Sequence, residues 1–341
     1  MYRNNLGSGD SENMKNLCEG LSENQSLTSL DLRDNNLGSG NAENMKFLSE
    51  ALSKNKRLTS LNLNNNGLAS GNAENIKYLC EALIKNESLA TLSLFGNNLG
   101  SGNPENMKHL CVALMFNQSL KSLNLSGNGL ISGKVENLKY LCEALVKNQI
   151  LISLNLGYNG LFSGKAENTK YLSEALMENK NLTSLDLSYN CLVSGNVENI
   201  KFFSEALIKN KNFTSLDLSR NDLGPGNAQN MKYLCEALLK NISLKSLNLS
   251  ENDLGSGDAE NMKSLSEVLI KNQSLTSLDL RYNDFGSGYA ENMEYLCKAL
   301  MNNQSLTSLD LNGNDLESGN VENMKNLSEA LMKNHRIKPE Y

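Results

Sequence analysis

Few residues of this chain have side chains that carry out chemistry, and their spacing does not bring them together. There are two histidines, His109 and His335, and no His–Cys or His–carboxylate spacing suggests a metal site. No G-x-x-x-x-G-K phosphate loop and no G-x-S-x-G nucleophile turn occurs. The sequence therefore predicts a protein that is not an enzyme, with no catalytic residue, no metal and no cofactor.

Aspartates recur at a fixed interval of 31 residues near the C-terminal end: Asp222, Asp253, Asp284 and Asp315. One acidic residue per interval does not supply the clustered oxygen ligands that a calcium site needs. We predict instead an acidic rim that steers a partner with a basic patch toward it. The alternative is a solvated edge that only keeps the protein in solution.

Six of the seven cysteines also share one position of the 31-residue pattern, where serine stands in other copies such as Ser49 and Ser173. A small, exchangeable residue at one repeated position is typical of buried packing and not of disulfides. Reduced thiols favour a cytoplasmic location. The six cysteines are Cys18, Cys80, Cys111, Cys142, Cys235 and Cys297.

The elements that hold these residues are copies of one unit, repeated without insertion or deletion. Each copy contains L-x-x-L-x-L-x-x-N-x-L, as in Leu27 to Leu37, and Leu30 returns as Leu61 and so on to Leu309. Leu30 and Leu32 alternate with polar residues, which predicts a strand with its leucines inside. A single unit cannot bury that face, so we expect the copies to stack.

Each strand is followed by a turn and a helix. The asparagine equivalent to Asn35 stands at the turn in every full copy, where its amide can satisfy backbone groups. A helix is predicted from about Ala42, with Asn41 as N-cap, because Asn103 precedes Pro104 at the same place. Met45, Leu48, Ser49 and Leu52 form its apolar stripe. Asn55 is predicted to end the helix in a left-handed conformation.

The pattern "L..L.L..N.L...G.......L..AL..N.S" resembles leucine-rich repeats of the ribonuclease-inhibitor type, similar to the sensor domains of NOD-like receptors and to Ran GTPase-activating proteins. The resemblance covers nearly all of residues 1–336 and implies an α/β solenoid shaped like a horseshoe. A parallel β-sheet would line its concave face, with α-helices on the convex face. The uniform 31-residue period differs from the alternating units of the inhibitor, so no binding residue is carried over.

We expect residues 1–341 to form a single solenoid of about ten full repeats with truncated first and last units. No capping repeat is evident at either end. Two expectations follow: the chain is part of a longer protein, or its ends associate with a second molecule.

Two outward positions just before the turn asparagine depart from the repeat. The first holds Arg33, Phe95 and Arg281 among small residues. The second holds five large residues in consecutive copies, which should form a row across neighbouring strands. Tyr and Arg are enriched at binding hot spots, so we predict a partner-binding row. Its members are Tyr158, Tyr189, Arg220, Glu251 and Tyr282.

Composition narrows the class of partner. The formal net charge of −6 argues against nucleic acid, and no apolar run is long enough for a membrane span. The predicted function is a protein–protein interaction scaffold that binds its partner on the concave face. The alternatives are a contact-type GTPase regulator, for which Arg33 and Arg281 are the candidates, and the recognition domain of a larger sensor. An effector delivered into a host cytosol is the alternative location.

Overall fold

Helices and strands alternate along the whole chain. The computed structural model describes residues 3–7, 11–39, 42–131, 135–163, 165–192, 197–224, 228–257, 259–316 and 321–340. The helices are α1 Ser11–Glu23, α2 Glu43–Lys54, α3 Glu74–Lys85, α4 Pro104–Phe116, α5 Val135–Lys147, α6 Ala166–Glu178, α7 Val197–Lys209, α8 Ala228–Lys240, α9 Ala259–Lys271, α10 Ala290–Asn302 and α11 Val321–Lys333. The strands are β1 Ser29–Asp31, β2 Ser60–Asn62, β3 Thr91–Ser93, β4 Ser122–Asn124, β5 Ser153–Asn155, β6 Ser184–Asp186, β7 Ser215–Asp217, β8 Ser246–Asn248, β9 Ser277–Asp279, β10 Ser308–Asp310 and β11 Lys338–Glu340.

The chain divides into two compact units. The first comprises Met1–Gly160 with Glu178–Leu182 and contains α1 to α5 and β1 to β5. The second comprises Leu161–Met177 with Thr183–Tyr341 and contains β6 to β11 and α7 to α11, together with α6 except for its last residue. The single solenoid expected for residues 1–341 stays a prediction.

In each unit, every strand pairs in parallel with the strand of the next copy. Leu30 lies opposite Leu61 in the first unit, and Leu216 lies opposite Leu247 in the second. The partners are one repeat apart, which confirms that the copies stack in register. The last pairing differs by one residue, because Ser308 lies opposite Lys338.

The predicted apolar faces form the core. Leu61 and Leu63 of the second full copy are completely buried, as are Met45 and Leu48 of the helix before them. The cysteine column is buried too, and burial raises the pKa of Cys18 to about 12 and that of Cys297 to about 11. The prediction that this column serves packing is therefore confirmed. No two cysteines of the chain are joined by a disulfide in the described structure.

The helix start predicted from Asn103 is confirmed, since its side chain accepts a hydrogen bond from the Glu105 amide and Pro104 is the first helical residue. Asn41, the N-cap predicted for the helix two copies earlier, lies outside the described residues. None of the helices that the structure describes is both long enough and apolar enough to cross a membrane.

The left-handed helix end predicted at Asn55 is wrong, because Asn55 is extended, with φ −71° and ψ 126°. Its side-chain oxygen accepts hydrogen bonds from the amides of Arg57 and Leu58, at 2.9 and 2.8 Å. Its side-chain nitrogen donates to the carbonyl of Leu21 in the previous copy, at 2.7 Å. The residue therefore acts through its amide group, which joins two repeats, and not through a tolerance for positive φ.

The turn asparagines form a buried hydrogen-bonded ladder in each unit. The side-chain oxygen of Asn97 accepts from the amides of Asn66 and Leu68 in the preceding copy, at 3.1 and 3.2 Å. Its side-chain nitrogen donates to the carbonyls of Leu63 and Leu94, at 2.9 and 3.0 Å. An amide that both donates and accepts thus satisfies backbone groups of two copies where the strands end.

A third asparagine column lies inside the helices and bonds to a neighbouring turn. The side-chain nitrogen of Asn261 donates to the carbonyl of Gly224, at 2.8 Å. The side-chain oxygen of Asn199 accepts from the hydroxyl of Thr169, at 2.9 Å. Thr169 stands where most other copies have methionine, isoleucine or leucine, so this one copy supplies a donor that the others lack.

We predict that Asn97→Ala lowers the free energy of unfolding by at least about 2 kcal/mol. The substitution leaves the amides of Asn66 and Leu68 without this partner, and each unsatisfied buried group costs about 1–3 kcal/mol. The carbonyls of Leu63 and Leu94 each keep a bond from another turn asparagine, Asn66 and Asn128. Urea unfolding followed by circular dichroism measures the change. Asn302→Lys is the control, because Asn302 is exposed and other copies have lysine there. Equal stability of the two variants would contradict the role of the ladder.

Candidate functional site

The turn after each strand carries two residues in the left-handed region, separated by the buried asparagine. In the sixth full copy these are Tyr189 and Cys191, with φ of 56° and 59°. Glycine, asparagine or aspartate occupies the second of these positions in every full copy except that of Cys191, and the first in half of the full copies, as with Asn65 and Gly67. Those residue types tolerate positive φ, whereas other L-residues are destabilised by about 1–2 kcal/mol. Large side chains at these two positions therefore occur against a backbone preference.

In the second unit, the side chains of these two positions line an open groove. Its volume is about 620 Å³. We call it the Tyr/Asp groove, and its lining residues are Tyr189, Cys191, Arg220, Asp222, Glu251, Asp253, Tyr282 and Asp284. The structure thus brings part of the predicted Tyr/Arg row and part of the predicted acidic rim together in one groove. The sequence predicted these two features separately.

One wall of the groove is an aromatic and ion-paired row. The guanidinium carbon of Arg220 lies 5.7 Å from the centre of the Tyr189 ring, within the range of a cation–π contact. The same guanidinium is ion-paired with the carboxylate of Glu251. Tyr282 is 56% exposed, and its ring covers Gly313, where an added Cβ would lie 2.3 Å from a ring carbon. Neighbouring copies therefore hold these side chains in place while leaving much of their surface accessible.

The other wall is acidic. Asp222, Asp253 and Asp284 follow one another in consecutive copies, with Cys191 at the head of the row. Partial burial and the neighbouring charges of Asp284 and Asp222 raise the pKa of Asp253. Because Arg220 is paired with Glu251, these three carboxylates dominate the electrostatics of the groove. In the described part of the chain, no group of three His, Cys, Asp or Glu residues is arranged to hold a metal ion.

Other predicted site residues lie outside the groove. Arg33, Phe95 and Tyr158 belong to the first unit. The ring of Phe95 covers Gly127 in the next copy, and Tyr158 is 59% exposed. Asp315 and Arg281 belong to the second unit but are not among the lining residues.

Both arginines nominated for contact with a GTPase are held by carboxylates. Arg33 Nε lies 2.9 Å from Asp31 Oδ2. Arg281 donates to both carboxylate oxygens of Asp279, from Nε to Oδ1 at 3.0 Å and from Nη2 to Oδ2 at 2.7 Å, and its Nε lies 3.3 Å from Asp310.

The outward Asp/Asn position within each strand has a structural task. The side chain of Asp217 accepts a hydrogen bond from the amide of Ser219, at 2.8 Å, and that of Asn248 does the same for Ser250, at 2.9 Å. Such Asx turns explain why this position alternates between aspartate and asparagine. The turn therefore sets the residue type at Asp217 and at Asp279, whose side chain accepts from the amide of Arg281.

Sequence reasoning missed an apolar surface on α4. Val112 and Phe116, 39% and 62% exposed, stand at positions that are charged in nearly every other helix, such as Glu81 and Lys85 in α3. The departure is visible in the sequence, because valine and phenylalanine replace charged residues of the repeat there. Ile84 and Val146 on the adjacent helices extend this exposed apolar area.

Comparison with known proteins agrees with the fold. The profile of the family described as Leucine Rich repeat matches residues 23–40, 116–134, 178–195, 209–226, 240–262, 271–288 and 302–319. The crystal structure of the leucine-rich repeat-containing protein LegL7 from Legionella pneumophila is similar, with a TM-score of 0.65 and 25% identity. The alignment covers 93% of each chain. The chain is therefore a leucine-rich repeat protein, with repeats of the ribonuclease-inhibitor type.

Two further solved structures show weaker likeness. Leiomodin-1 actin-binding site 2 has a TM-score of 0.35 and 18% identity, with 49% of this chain and 86% of that chain covered. The tropomodulin C-terminal domain from Caenorhabditis elegans has a TM-score of 0.31 and 17% identity, with 59% and 93% covered. No curated protein sequence matches the chain. The fold is typical of protein–protein interaction scaffolds and does not by itself name a partner.

We predict that Asp253→Asn raises the melting temperature at pH 7 and that the gain disappears as the pH falls below about 4. The pKa of Asp253 is raised in the folded protein, so its charged form opposes folding above that pKa. Protonation relieves this penalty as the pH falls, and below the unfolded pKa the carboxyl and the amide behave alike. Thermal melts from pH 3 to pH 7 measure the effect.

Asn36 and Asn98 show that asparagine fits the same left-handed position. Asp34→Asn is the control, because it removes a carboxylate that pairs with Arg3 and should not stabilise the protein. A gain for Asp253→Asn that is constant over the whole pH range would contradict the electrostatic explanation.

Proposed function

We propose that this protein is a non-enzymatic interaction scaffold that binds a basic segment of another protein in the Tyr/Asp groove. The observation that carries the proposal is the convergence of two departures from the repeat on one groove. Tyrosine and arginine are enriched among residues that dominate binding energy, and exposed tyrosine presents a large surface with little flexibility.

Backbone strain supports the proposal. Tyr189, Arg220, Glu251 and Tyr282 all have positive φ, between 51° and 56°. Glycine occupies the equivalent position in three other copies, at Gly96, Gly127 and Gly313. Local strain of this kind is concentrated at functional sites.

The charge of the groove supports a cationic partner. Asp222, Asp253 and Asp284 face the space that the tyrosines flank, and the chain as a whole carries a formal net charge of −6. Complementary charge accelerates association and selects among partners more than it adds to affinity. We therefore expect a partner whose contact segment is rich in lysine or arginine.

The contacts of the two nominated arginines weigh against the GTPase-regulator alternative. A guanidinium that is bidentate to a neighbouring carboxylate, as in Arg281 with Asp279, must break those bonds before it can reach a bound nucleotide. Arg33 is ion-paired with Asp31 through Nε, at 2.9 Å. These ion pairs therefore favour an interaction scaffold over a GTPase regulator.

We propose further that the protein works in a reducing compartment, either the cytoplasm of its own cell or, as an effector, a host cytosol. All seven cysteines lack disulfide partners in the described structure, and six of them are buried. Thiols persist in the reduced form where glutathione and thioredoxin are active.

The triple variant Tyr189→Asn, Arg220→Asn, Tyr282→Asn should lose the partner without losing stability. Asparagine is the natural residue of this position at Asn65 and accepts the left-handed conformation. Affinity capture with quantitative mass spectrometry should show basic proteins that the wild type retains and the variant does not. Their capture should weaken between about 50 and 300 mM salt, since screening shortens the reach of the carboxylates.

Tyr158→Asn is the matched control, because it makes the same exchange at the same turn position in the first unit, outside the groove. The melting temperature of the triple variant should not fall. Unchanged capture by a folded triple variant, or equal loss with Tyr158→Asn, would overturn the assignment to the groove.

A further inference from the structure

Resting on the proposed function, we infer that the basic segment in the Tyr/Asp groove is an α-helix that runs across the strands. Its cationic side chains lie at positions i, i+3, i+7 and i+10. Two distances support this conformation: the interval between consecutive aspartates of the acidic wall, and the distance between Tyr189 and Tyr282.

The acidic residues stand at a fixed interval because the copies stay hydrogen-bonded through the turn. The amide of Arg220 donates to the carbonyl of Ser250, at 3.1 Å, and the amide of Gly224 donates to that of Asn252, at 2.8 Å. These bonds bracket Asp222 on both sides. Neighbouring copies therefore remain about 4.8 Å apart here, as they are in the sheet. The three aspartates of the groove span about 9.6 Å, and Asp315 extends the row to about 14.4 Å.

A helix matches this interval. With a rise of about 1.5 Å per residue, positions i, i+3, i+7 and i+10 of one helical face lie at about 0, 4.5, 10.5 and 15 Å. They stay within about 1 Å of the carboxylate row over its whole length, a difference that flexible lysine side chains absorb.

An extended chain does not match the interval. The side chains on one face of an extended chain recur at intervals of about 6.6–6.8 Å. Over three steps the mismatch with the carboxylates grows to about 6 Å, so only one or two charges could pair at once.

The aromatic wall fits the same occupant. Tyr189 and Tyr282 stand three copies apart, or about 14 Å, which is the length of about ten helical residues. Between them Arg220 and Glu251 neutralise each other, so this wall offers aromatic and aliphatic surface beside the acidic one. A helix with one basic and one apolar face would place its charges on the aspartates and its apolar side chains against the tyrosines.

The test compares two synthetic peptides of identical composition, each with four lysines in a background of alanine and leucine. The helical peptide has lysine at i, i+3, i+7 and i+10, and the extended-register peptide has lysine at i, i+2, i+4 and i+6. Fluorescence anisotropy at low salt should show at least tenfold tighter binding of the helical peptide. The preference should shrink with Asp253→Asn and persist with Asp34→Asn, which removes one charge outside the groove.

Equal or tighter binding of the extended-register peptide overturns the helix and leaves the basic segment of the proposed function intact. Binding of neither peptide also overturns it. If, in addition, the triple variant captures the same proteins as the wild type, the proposed function fails as well. A helical peptide that binds the Tyr189→Asn, Arg220→Asn, Tyr282→Asn variant as tightly as wild type would overturn the placement in the groove.

Discussion

The hydrogen bonds of one buried asparagine per turn are the constraint on which this protein depends. A chain that leaves a strand must turn, and its backbone amides and carbonyls then lose their ladder partners. Asn97 and its equivalents replace those partners in their own copy and in the copy before. Because the bonds to the preceding copy span one repeat, an insertion or deletion between two asparagines would separate donor from acceptor. The uniform spacing of the chain is the consequence of that geometry.

Register in turn decides which positions can acquire a function. Columns that face the core or carry the asparagine bonds are occupied by the same residue types from copy to copy. The two left-handed positions beside the turn asparagine lie outside those columns, and their side chains differ from copy to copy. Copies with glycine or asparagine there have the residue types that the left-handed backbone favours, whereas the copies that form the groove have larger side chains. Each unusual residue can therefore be compared with the residue at the same position in the other copies.

Much of the fold could be predicted from the sequence, because it is encoded by local patterns that recur. Alternating leucines gave the strands, the Asn103–Pro104 pair gave a helix start, and the spacing of Leu30 and Leu61 gave the register. The end of α2 was predicted wrongly because asparagine has two uses, tolerance for positive φ and a bonding amide. Only the neighbouring copy reveals which one applies at Asn55.

The candidate site was predictable only in its parts. The tyrosine and aspartate positions stood out in the sequence. That the two columns line the same groove depends on the left-handed conformation of the two residues that flank each turn asparagine, as at Tyr189 and Cys191. Periodicity carries no information about that conformation. The ion pairs of Arg33 and Arg281 were equally hidden, because outward aspartates could have been directed either at solvent or at their neighbours. Contacts between exposed side chains follow from three-dimensional detail and not from spacing.

Disulfide trapping at Cys191 tests most directly the claim that equivalent residues of consecutive copies are neighbours along the groove. Asp222→Cys places a second thiol one copy away, at a Cα separation of about 4.8 Å, whereas Asp253→Cys places it two copies away, at about 9.6 Å. A disulfide requires Cα atoms within about 7 Å. Under mild oxidation, peptide mapping should therefore find a bond between Cys191 and the cysteine at position 222, and none to position 253. Efficient trapping at position 253, or none at position 222, would contradict the stacking in register from which the groove is built.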